Sequence, residues 1–133
     1  MVEIDPFKLV QTDAIYKVLV HCEEGSDKKE LYDSLAGIPG TSVTVSWEDT
    51  FDVTADGVSK SAAIDRYARE KGIKPSEIIC FGDNYNDIDM LQYAGLGIAV
   101  ENAVKQLREV ADYVTLSNNE DGVAKAIEKF ALG

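Results

Sequence analysis

The sequence predicts an α/β protein in which a parallel sheet, with helices on both faces, follows a smaller α+β segment. Helical and strand patterns alternate after Gly57, which is typical of a parallel, doubly wound sheet. Before Gly57 the order is strand, helix, strand, strand, which is typical of an α+β segment. The composition, 133 residues of which 45% are hydrophobic and 28% charged, suits a folded core. We therefore expect two parts, residues 1–56 and residues 57–133.

The first part contains one predicted helix among three predicted strands. The apolar run at residues 14–22 predicts a buried strand. Ser26 or Asp27 suits the N-cap of the following helix. His21 and Trp47, each the single residue of its type, are expected to pack as structural side chains. In chain order, the elements are a strand at 14–22, a helix ending at residue 35, and strands at 42–47 and 51–54.

Helices and strands alternate through the second part. In order, they are predicted at residues 59–71, 77–81, 88–94, 96–100, 103–110, 112–116 and 121–132. Gly72 is a C-cap signal for the first of these helices. The run at 77–81 is apolar after its first residue, which favours a strand buried on both faces. Chemistry in parallel sheets lies in loops beyond the carboxyl ends of strands, so the loop after this run is the candidate site.

The charge balance excludes several classes of partner. Thirteen Lys and Arg against 24 Asp and Glu give a formal net charge of −11, which disfavours nucleic acid and anionic membranes. The first ten residues include Glu3, Asp5 and Lys8, and no stretch approaches the roughly 18 apolar residues of a membrane span. We therefore expect a cytoplasmic protein, with Cys22 and Cys80 as buried, reduced thiols.

The loop after the first strand of the second part concentrates oxygen-bearing side chains. Its sequence, at residues 82–87, is Gly-Asp-Asn-Tyr-Asn-Asp. Two carboxylates and two amides at the mouth of a parallel sheet suit a hard divalent cation, Mg²⁺ above all. The alternative is that Asp83 or Asn84 only caps the following helix. Lys60, which follows a Gly-Val-Ser turn at a helix start, is either an anion ligand or a solvated first-turn residue.

These segments resemble the haloacid dehalogenase superfamily, and within it the Cof-type phosphatases. The matching segments are Gly57-Val58-Ser59-Lys60, residues 82–91, residues 97–103, Ala111-Asp112-Tyr113-Val114 and residues 118–123. They occur in the family's order, with the family's spacing between Lys60 and Asp83. The resemblance is close over residues 57–133, which look like the C-terminal half of the family's core. Residues 14–56 more loosely resemble the second half of its α/β cap.

The resemblance implies a Mg²⁺-dependent phosphohydrolase that acts through an aspartyl-phosphate on a small phosphorylated metabolite. It implies that Lys60 binds the substrate phosphoryl group and the nucleophilic carboxylate, and that Asp83 coordinates Mg²⁺ directly. Asn86 would hydrogen-bond the phosphate or hold Lys60. Asp87 would lie in the second shell of the metal, where it orients Lys60 or a metal-bound water. Phosphoryl transfer fits such a site, because a lysine and a divalent ion neutralise the phosphoryl oxygens.

The family's nucleophile pattern, Asp-x-Asp-Gly after a hydrophobic strand, does not occur in this sequence. Asp87-Ile88-Asp89 has the aspartate spacing but continues with Met90. We therefore expect a fragment that is inactive by itself, made of part of the cap and the last half of the core. The alternative is a non-catalytic module that acts in binding or assembly. Sugar phosphate, nucleotide and flavin phosphate all stay open as substrates, because the cap sets specificity in this family.

Two further expectations follow from the resemblance. The strand at 77–81 pairs with the nucleophile strand in the family, so its edge is expected to be apolar and unpaired. This predicts a homodimer or a strand-exchanged oligomer. Ser61 and Glu101 stand where the family usually has Gly, and neither change removes a proposed ligand.

Overall fold

The computed structural model describes residues 15–132, and the chain divides between Gly57 and Val58 into two compact units. Unit 1 denotes the described residues before that point, and unit 2 those after it. The elements of unit 1 are β1 Lys17–His21, α1 Lys28–Ala36, β2 Thr41–Trp47 and β3 Thr50–Ala55. Its strands form an antiparallel sheet in the order β1-β3-β2, so β3 is central.

Helix α1 begins at a cap that the sequence provides. Oδ1 of Asp27 accepts two backbone N–H groups of the first turn, at 2.9 and 3.0 Å, so Asp27 rather than Ser26 is the N-cap. Tyr32 of α1 places its ring centroid 5.8 Å from that of Phe51 on β3. Because Phe51 is buried, this aromatic contact packs the helix on the central strand.

Strand β1 lies within the predicted strand at 14–22, whose first residue falls outside the described residues, but it is not buried. Val18 is 47% exposed and Leu19 is 61% exposed. β1 is an edge strand of an antiparallel sheet, and such a sheet can keep one face in water. The predicted packing was also wrong for two single residues, since Trp47 is 71% exposed and His21 is exposed as well.

Unit 2 alternates helices and strands as predicted. Its elements are α2 Lys60–Lys71, β4 Ile79–Gly82, α3 Ile88–Tyr93, β5 Leu96–Ala99, α4 Lys105–Val110, β6 Tyr113–Val114 and α5 Gly122–Ile127, with 3-10 turns at Pro75–Glu77, Tyr85–Asp87 and Asn118–Glu120. The strands form a parallel sheet in the order β4-β5-β6. The predicted α/β class with a parallel sheet is confirmed.

The boundaries in unit 2 differ from the predicted ones by one or more residues, most clearly at the start of β4 and at the end of the last helix. Glu77 belongs to a 3-10 turn instead of β4, because its carboxylate accepts the backbone N–H of Lys74 at 2.8 Å. Such a side-chain bond competes locally with strand pairing. The last helix is α-helical over Gly122–Ile127 and continues as a π-helical turn at Glu128–Leu132. None of the helices in residues 15–132 combines the length and hydrophobicity needed to cross a membrane.

The core of unit 2 joins the sheet to the helices. Leu91 of α3 and Leu107 of α4 are almost fully buried and pack in one cluster with Cys80 of β4. Burial raises the pKa of the Cys80 thiol, so this thiol stays protonated at neutral pH. Cys22 and Cys80 are both buried and free, as predicted.

Candidate active site

The candidate site lies at the carboxyl end of β4. This strand ends at Gly82, and the 3-10 turn Tyr85–Asp87 leads directly into α3. Asn84 is the N-cap of the turn, and its side-chain oxygen accepts the first N–H of the turn at 2.8 Å. Asn84 is therefore a capping residue, as the alternative interpretation of the loop predicted. The carboxylates of Asp83 and Asp87 are left available for other contacts.

Asp87 is the buried centre of this loop. Its side chain is 4% exposed, and both of its oxygens have partners. Oδ1 forms an ion pair with Nζ of Lys60. Oδ2 accepts the backbone N–H groups of Asp83, at 3.0 Å, and of Asn84, at 3.1 Å. Asp87 therefore fixes the loop backbone and the lysine with one carboxylate.

The charge of Asp87 is maintained by these partners. Burial raises the pKa of the carboxyl, while the hydrogen bond from Lys60 and the two backbone N–H groups lower it. The lowering effects are larger together, so the pKa lies below its usual value. Asp87 is therefore a carboxylate at neutral pH.

Gly82 allows Asp87 to approach the end of β4. A Cβ atom at this position would lie 2.6 Å from Cβ of Asp87 and 3.0 Å from Cδ1 of Leu91. Gly82 is not among the glycines with positive φ, so the requirement is for space and not for an unusual backbone conformation. Any larger residue here would push Asp87 away from the backbone N–H groups that it binds.

Lys60 reaches the loop from the first turn of α2. Ser59 is the N-cap of this helix, and its hydroxyl accepts the N–H of Ala62 at 3.2 Å. The Lys60 side chain is 48% exposed, so its ammonium group contacts Asp87 on one side and water on the other. An ammonium ion in this position can donate to a further anionic oxygen without leaving its carboxylate partner.

Asp83 presents the other carboxylate of the loop. Its backbone is held on both sides, because its N–H donates to Asp87 and its carbonyl accepts the N–H of Val104 at 2.9 Å. The residue is exposed. Among the described residues, its carboxylate has no hydrogen-bond or ion-pair partner.

Asp83 fits the role of one hard oxygen ligand for Mg²⁺, because its carboxylate is exposed and its backbone is fixed. No group of three or more His, Cys, Asp and Glu side chains within residues 15–132 is placed to hold a metal ion. A Mg²⁺ ion at this position would therefore need waters, a substrate phosphate or other carboxylates to complete its octahedron.

Asn86 is the remaining predicted site residue. It lies in the 3-10 turn and is half-buried. In the part of the chain that the structure describes, no hydrogen bond joins its amide to Lys60, which is held by Asp87 instead. Of the two roles considered for Asn86, contact with a phosphate is therefore the one that we retain as a prediction. The structure brings Lys60 and Asp87 together, and it places Asp83 and Asn86 in the same loop.

A comparison with models of known protein families identifies the family of this chain. Residues 1–127 match the model described as haloacid dehalogenase-like hydrolase. The chain belongs to this family. The resemblance drawn from the sequence motifs is confirmed.

Relatives and solved structures agree with the family model. A putative phosphatase of Haemophilus influenzae is 34% identical over 130 residues, which are 96% of this chain and 49% of that protein. The 5-amino-6-(5-phospho-D-ribitylamino)uracil phosphatase of Bacillus subtilis is 36% identical over 110 residues, 83% of this chain and 44% of that protein.

The structural similarity extends over nearly the whole chain. A phosphatase of the haloalkanoate (HAD) enzyme superfamily from Bacteroides thetaiotaomicron matches with a TM-score of 0.87 and 28% identity, covering 98% of this chain and 47% of that one. A HAD subclass IIB sugar phosphatase matches with a TM-score of 0.81 and 33% identity, covering 96% and 47%. The chain therefore spans about half the length of the family members that it matches.

Sequence reasoning missed one polar contact beside the family site. Asp89, in the first turn of α3, accepts both the backbone N–H of Ser61, at 3.2 Å, and its hydroxyl, at 2.6 Å. Ser61 is also one of the two residues noted above that stand where the family usually has Gly. A signal was present in the sequence, because Ser61 directly follows Lys60 and Asp89 lies two residues after Asp87. Only the fold shows that Ser61 and Asp89 meet.

Proposed function

We propose that unit 2 carries the phosphate-binding and Mg²⁺-binding part of a phosphohydrolase site, which acts on the phosphate monoester of a small metabolite. The observation that supports this most directly is the ion pair between Lys60 and the buried carboxylate of Asp87 at the carboxyl end of β4. This ion pair holds the Lys60 ammonium group beyond the carboxyl end of the sheet, which is where α/β proteins bind ligands. Membership of the family and the phosphatases among its relatives support the same reaction class.

The residues of this chain have distinct roles in the proposed reaction. Lys60 donates hydrogen bonds to the phosphoryl oxygens, and Asp87 holds the ammonium group in that direction. Asp83 is a direct ligand of Mg²⁺, and the Asn86 amide donates to the phosphate. When bound, Mg²⁺ supplies a positive charge that stabilises the phosphoryl oxygens during transfer.

A nucleophilic carboxylate is also required, because the family reaction passes through an aspartyl-phosphate. This sequence does not contain the Asp-x-Asp-Gly pattern that supplies it. We therefore propose that the 133-residue chain does not turn over phosphate esters by itself, and that it acts as part of a larger enzyme. Its coverage of about half of each relative supports this interpretation.

The test compares two proteins. One is the chain as given, and the other is the same chain preceded by the N-terminal half of the Haemophilus influenzae relative. Both are assayed with Mg²⁺ against sugar phosphates, nucleotides and flavin phosphate. We expect phosphate release from the joined protein alone. Lys60→Ala and Asp83→Ala should each reduce that rate by about 10²-fold or more, as the loss of a transition-state ligand does in other enzymes.

Asp33→Ala is the matched control, because Asp33 is an exposed carboxylate on α1 whose partner is Lys29. It should leave the rate unchanged. Rapid Mg²⁺-dependent phosphate release by the chain as given, abolished by Asp83→Ala, would contradict the proposed inactivity. A folded joined protein with no activity on any substrate would contradict the phosphatase proposal and favour the alternative, a non-catalytic module for binding or assembly.

We also propose that the chain as given associates through β4. In the sheet of the described residues, β4 pairs only with β5 and is therefore an edge strand. Its Ile79 and Phe81 side chains are half-buried, so the edge is apolar as well as unpaired, which favours pairing with a second copy.

Light scattering at about 50 μM, a range in which weak association is visible, should show a dimer or a strand-exchanged oligomer. The joined protein is the control, because its added half supplies the strand that covers β4 in the proposed enzyme. A monomeric chain under these conditions would refute the association.

A further inference from the structure

Helices α2 and α3 are joined by polar contacts at two levels. Near their N-terminal ends, Ser61 donates to Asp89. One helical turn later, the hydroxyl of Tyr93 donates to Oδ1 of Asp65 at 3.0 Å. Both pairs are 28 residues apart in the sequence, so the two helices run side by side in the same direction and in one fixed register.

The contact near the N-terminal ends is the closer of the two to the ion pair. Ser61 follows Lys60 directly, and Asp89 lies two residues after Asp87. One oxygen of Asp89, Oδ2, accepts the hydroxyl of Ser61 at 2.6 Å and its N–H at 3.2 Å. The other oxygen accepts the N–H of Met90 at 2.8 Å. The carboxylate thus joins the backbone of one helix start to the backbone of the other.

The ion pair and the backbone of α2 set this geometry together. The Lys60 side chain is long, flexible and 48% exposed, so its ammonium group stays on Asp87 only while the first turn of α2 is held within its reach. The position of the ammonium group therefore depends on where the backbone of the first turn of α2 is held. The Ser61 hydroxyl also lies 2.9 Å from the hydroxyl of Ser59, the N-cap of α2, so Asp89 holds the cap and the turn together.

We propose that Asp89 is a positioning residue, which acts through Ser61 to hold the first turn of α2 so that the Lys60 ammonium stays on Asp87. Its importance for turnover rests on the proposed function. The effect on the position of Lys60 does not, because it can be measured in the chain as given without any substrate.

The second contact provides a matched control. Tyr93→Phe removes the hydrogen bond to Asp65 and so loosens the same pair of helices, one turn further from Lys60. Asp65 keeps a partner in this variant, because it also accepts from Arg69 at 2.9 Å. A purely structural link between α2 and α3 would give the same result at either level, whereas a positioning contact would affect Lys60 only at the first.

The experiment measures the reactivity of each lysine amine with a trace of an acetylating reagent, by mass spectrometry, relative to Lys105. Lys105 is an exposed lysine of unit 2 with a surface partner, Glu109. Asp89→Ala should raise the relative reactivity of Lys60 by about two- to fivefold, the range expected for the loss of a partly exposed ion pair. Ser61→Ala, which keeps the N–H and removes the hydroxyl, should give a smaller rise.

Two variants complete the design. Asp89→Asn keeps an oxygen acceptor for Ser61 and should return the reactivity of Lys60 towards that of the parent chain. Tyr93→Phe should leave it unchanged. If Asp89→Ala does not fold, Ser61→Ala carries the test by itself.

An unchanged relative reactivity of Lys60 in both Asp89→Ala and Ser61→Ala would overturn the inference. So would an equal rise in the relative reactivity of the other lysines of unit 2. A rise in Tyr93→Phe as large as that in Asp89→Ala would overturn it as well, because either result indicates a general loosening of unit 2. None of these results bears on phosphate release by the joined protein, so failure of the positioning inference and failure of the proposed function are distinguishable.

Discussion

The two units differ in how their sheets are covered. Among the described residues, the buried apolar side chains of unit 1 are Cys22 and Phe51, whereas those of unit 2 come from every one of its strands except β6 and from four of its helices. Unit 1 has an antiparallel sheet with an exposed edge strand, and unit 2 has a parallel sheet, which needs cover on both faces. The candidate site lies in the better-buried unit, where a dense core can hold a loop in one position.

A pair of leucines gives the largest effect that distinguishes the units. Leu107→Ala, at a fully buried position of α4, should lower the free energy of unfolding by about 2–5 kcal/mol, because it removes apolar contacts and leaves a cavity. Leu19→Ala, at a position of β1 that is 61% exposed, should change it by less than about 0.5 kcal/mol.

Urea unfolding measures both changes. The helical circular-dichroism signal reports mainly on unit 2, and the fluorescence of Trp47, the single tryptophan, reports on unit 1. Equal losses in the two variants would show that the difference in burial has no energetic consequence.

The same comparison shows what the sequence could and could not predict. The parallel sheet and the alternation of helices and strands were predictable in unit 2, because its apolar runs alternate regularly with helical patterns. The prediction of burial was wrong in unit 1, because the apolar run around Leu19 is solvent-exposed and Trp47 is mostly exposed. Exposure depends on what covers a sheet, and no local pattern contains that information.

The site itself was predictable only in part. The resemblance singles out the site residues and predicts that Asp87 orients Lys60. It does not predict that Asp87 also accepts two backbone N–H groups, because those bonds depend on how the loop folds. The role of Gly82 is a further example. A glycine in a loop suggests a sharp turn, whereas here it provides room for the Asp87 side chain.

Two glycines give the next largest contrast. Gly82→Ala should destabilise unit 2 by about 1–3 kcal/mol, because a Cβ atom there overlaps Asp87 and forces the loop to shift. In unit 1, Gly37→Ala meets only carbonyl oxygens at 3.4 and 3.5 Å and has an ordinary helical φ of −77°, so its effect should stay within about 0.5 kcal/mol.

Calorimetric melting of the two glycine variants checks this expectation. In Gly82→Ala, the reactivity of Lys60 with acetylating reagent should also rise, because Asp87 no longer reaches it. A Gly82→Ala variant as stable as the parent chain would show that the loop can relax at no cost, and the tight contact would then not matter for the site.

The smallest expected effect is the loss of stability of unit 2 in acid. The folded-state pKa of Asp87 lies below its usual value, so the carboxylate stabilises unit 2 above the unfolded-state pKa of about 3.9. This contribution disappears as the pH falls from there through the folded-state pKa. The free energy of unfolding of unit 2, followed in urea from neutral pH to about pH 3, should therefore decrease with acid.

In Lys60→Met, which removes the cation that lowers the pKa of Asp87, the decrease should be shallower. An identical pH dependence in the two proteins would show that Lys60 does not hold the charge of Asp87, and the difference between the units would then rest on apolar burial alone.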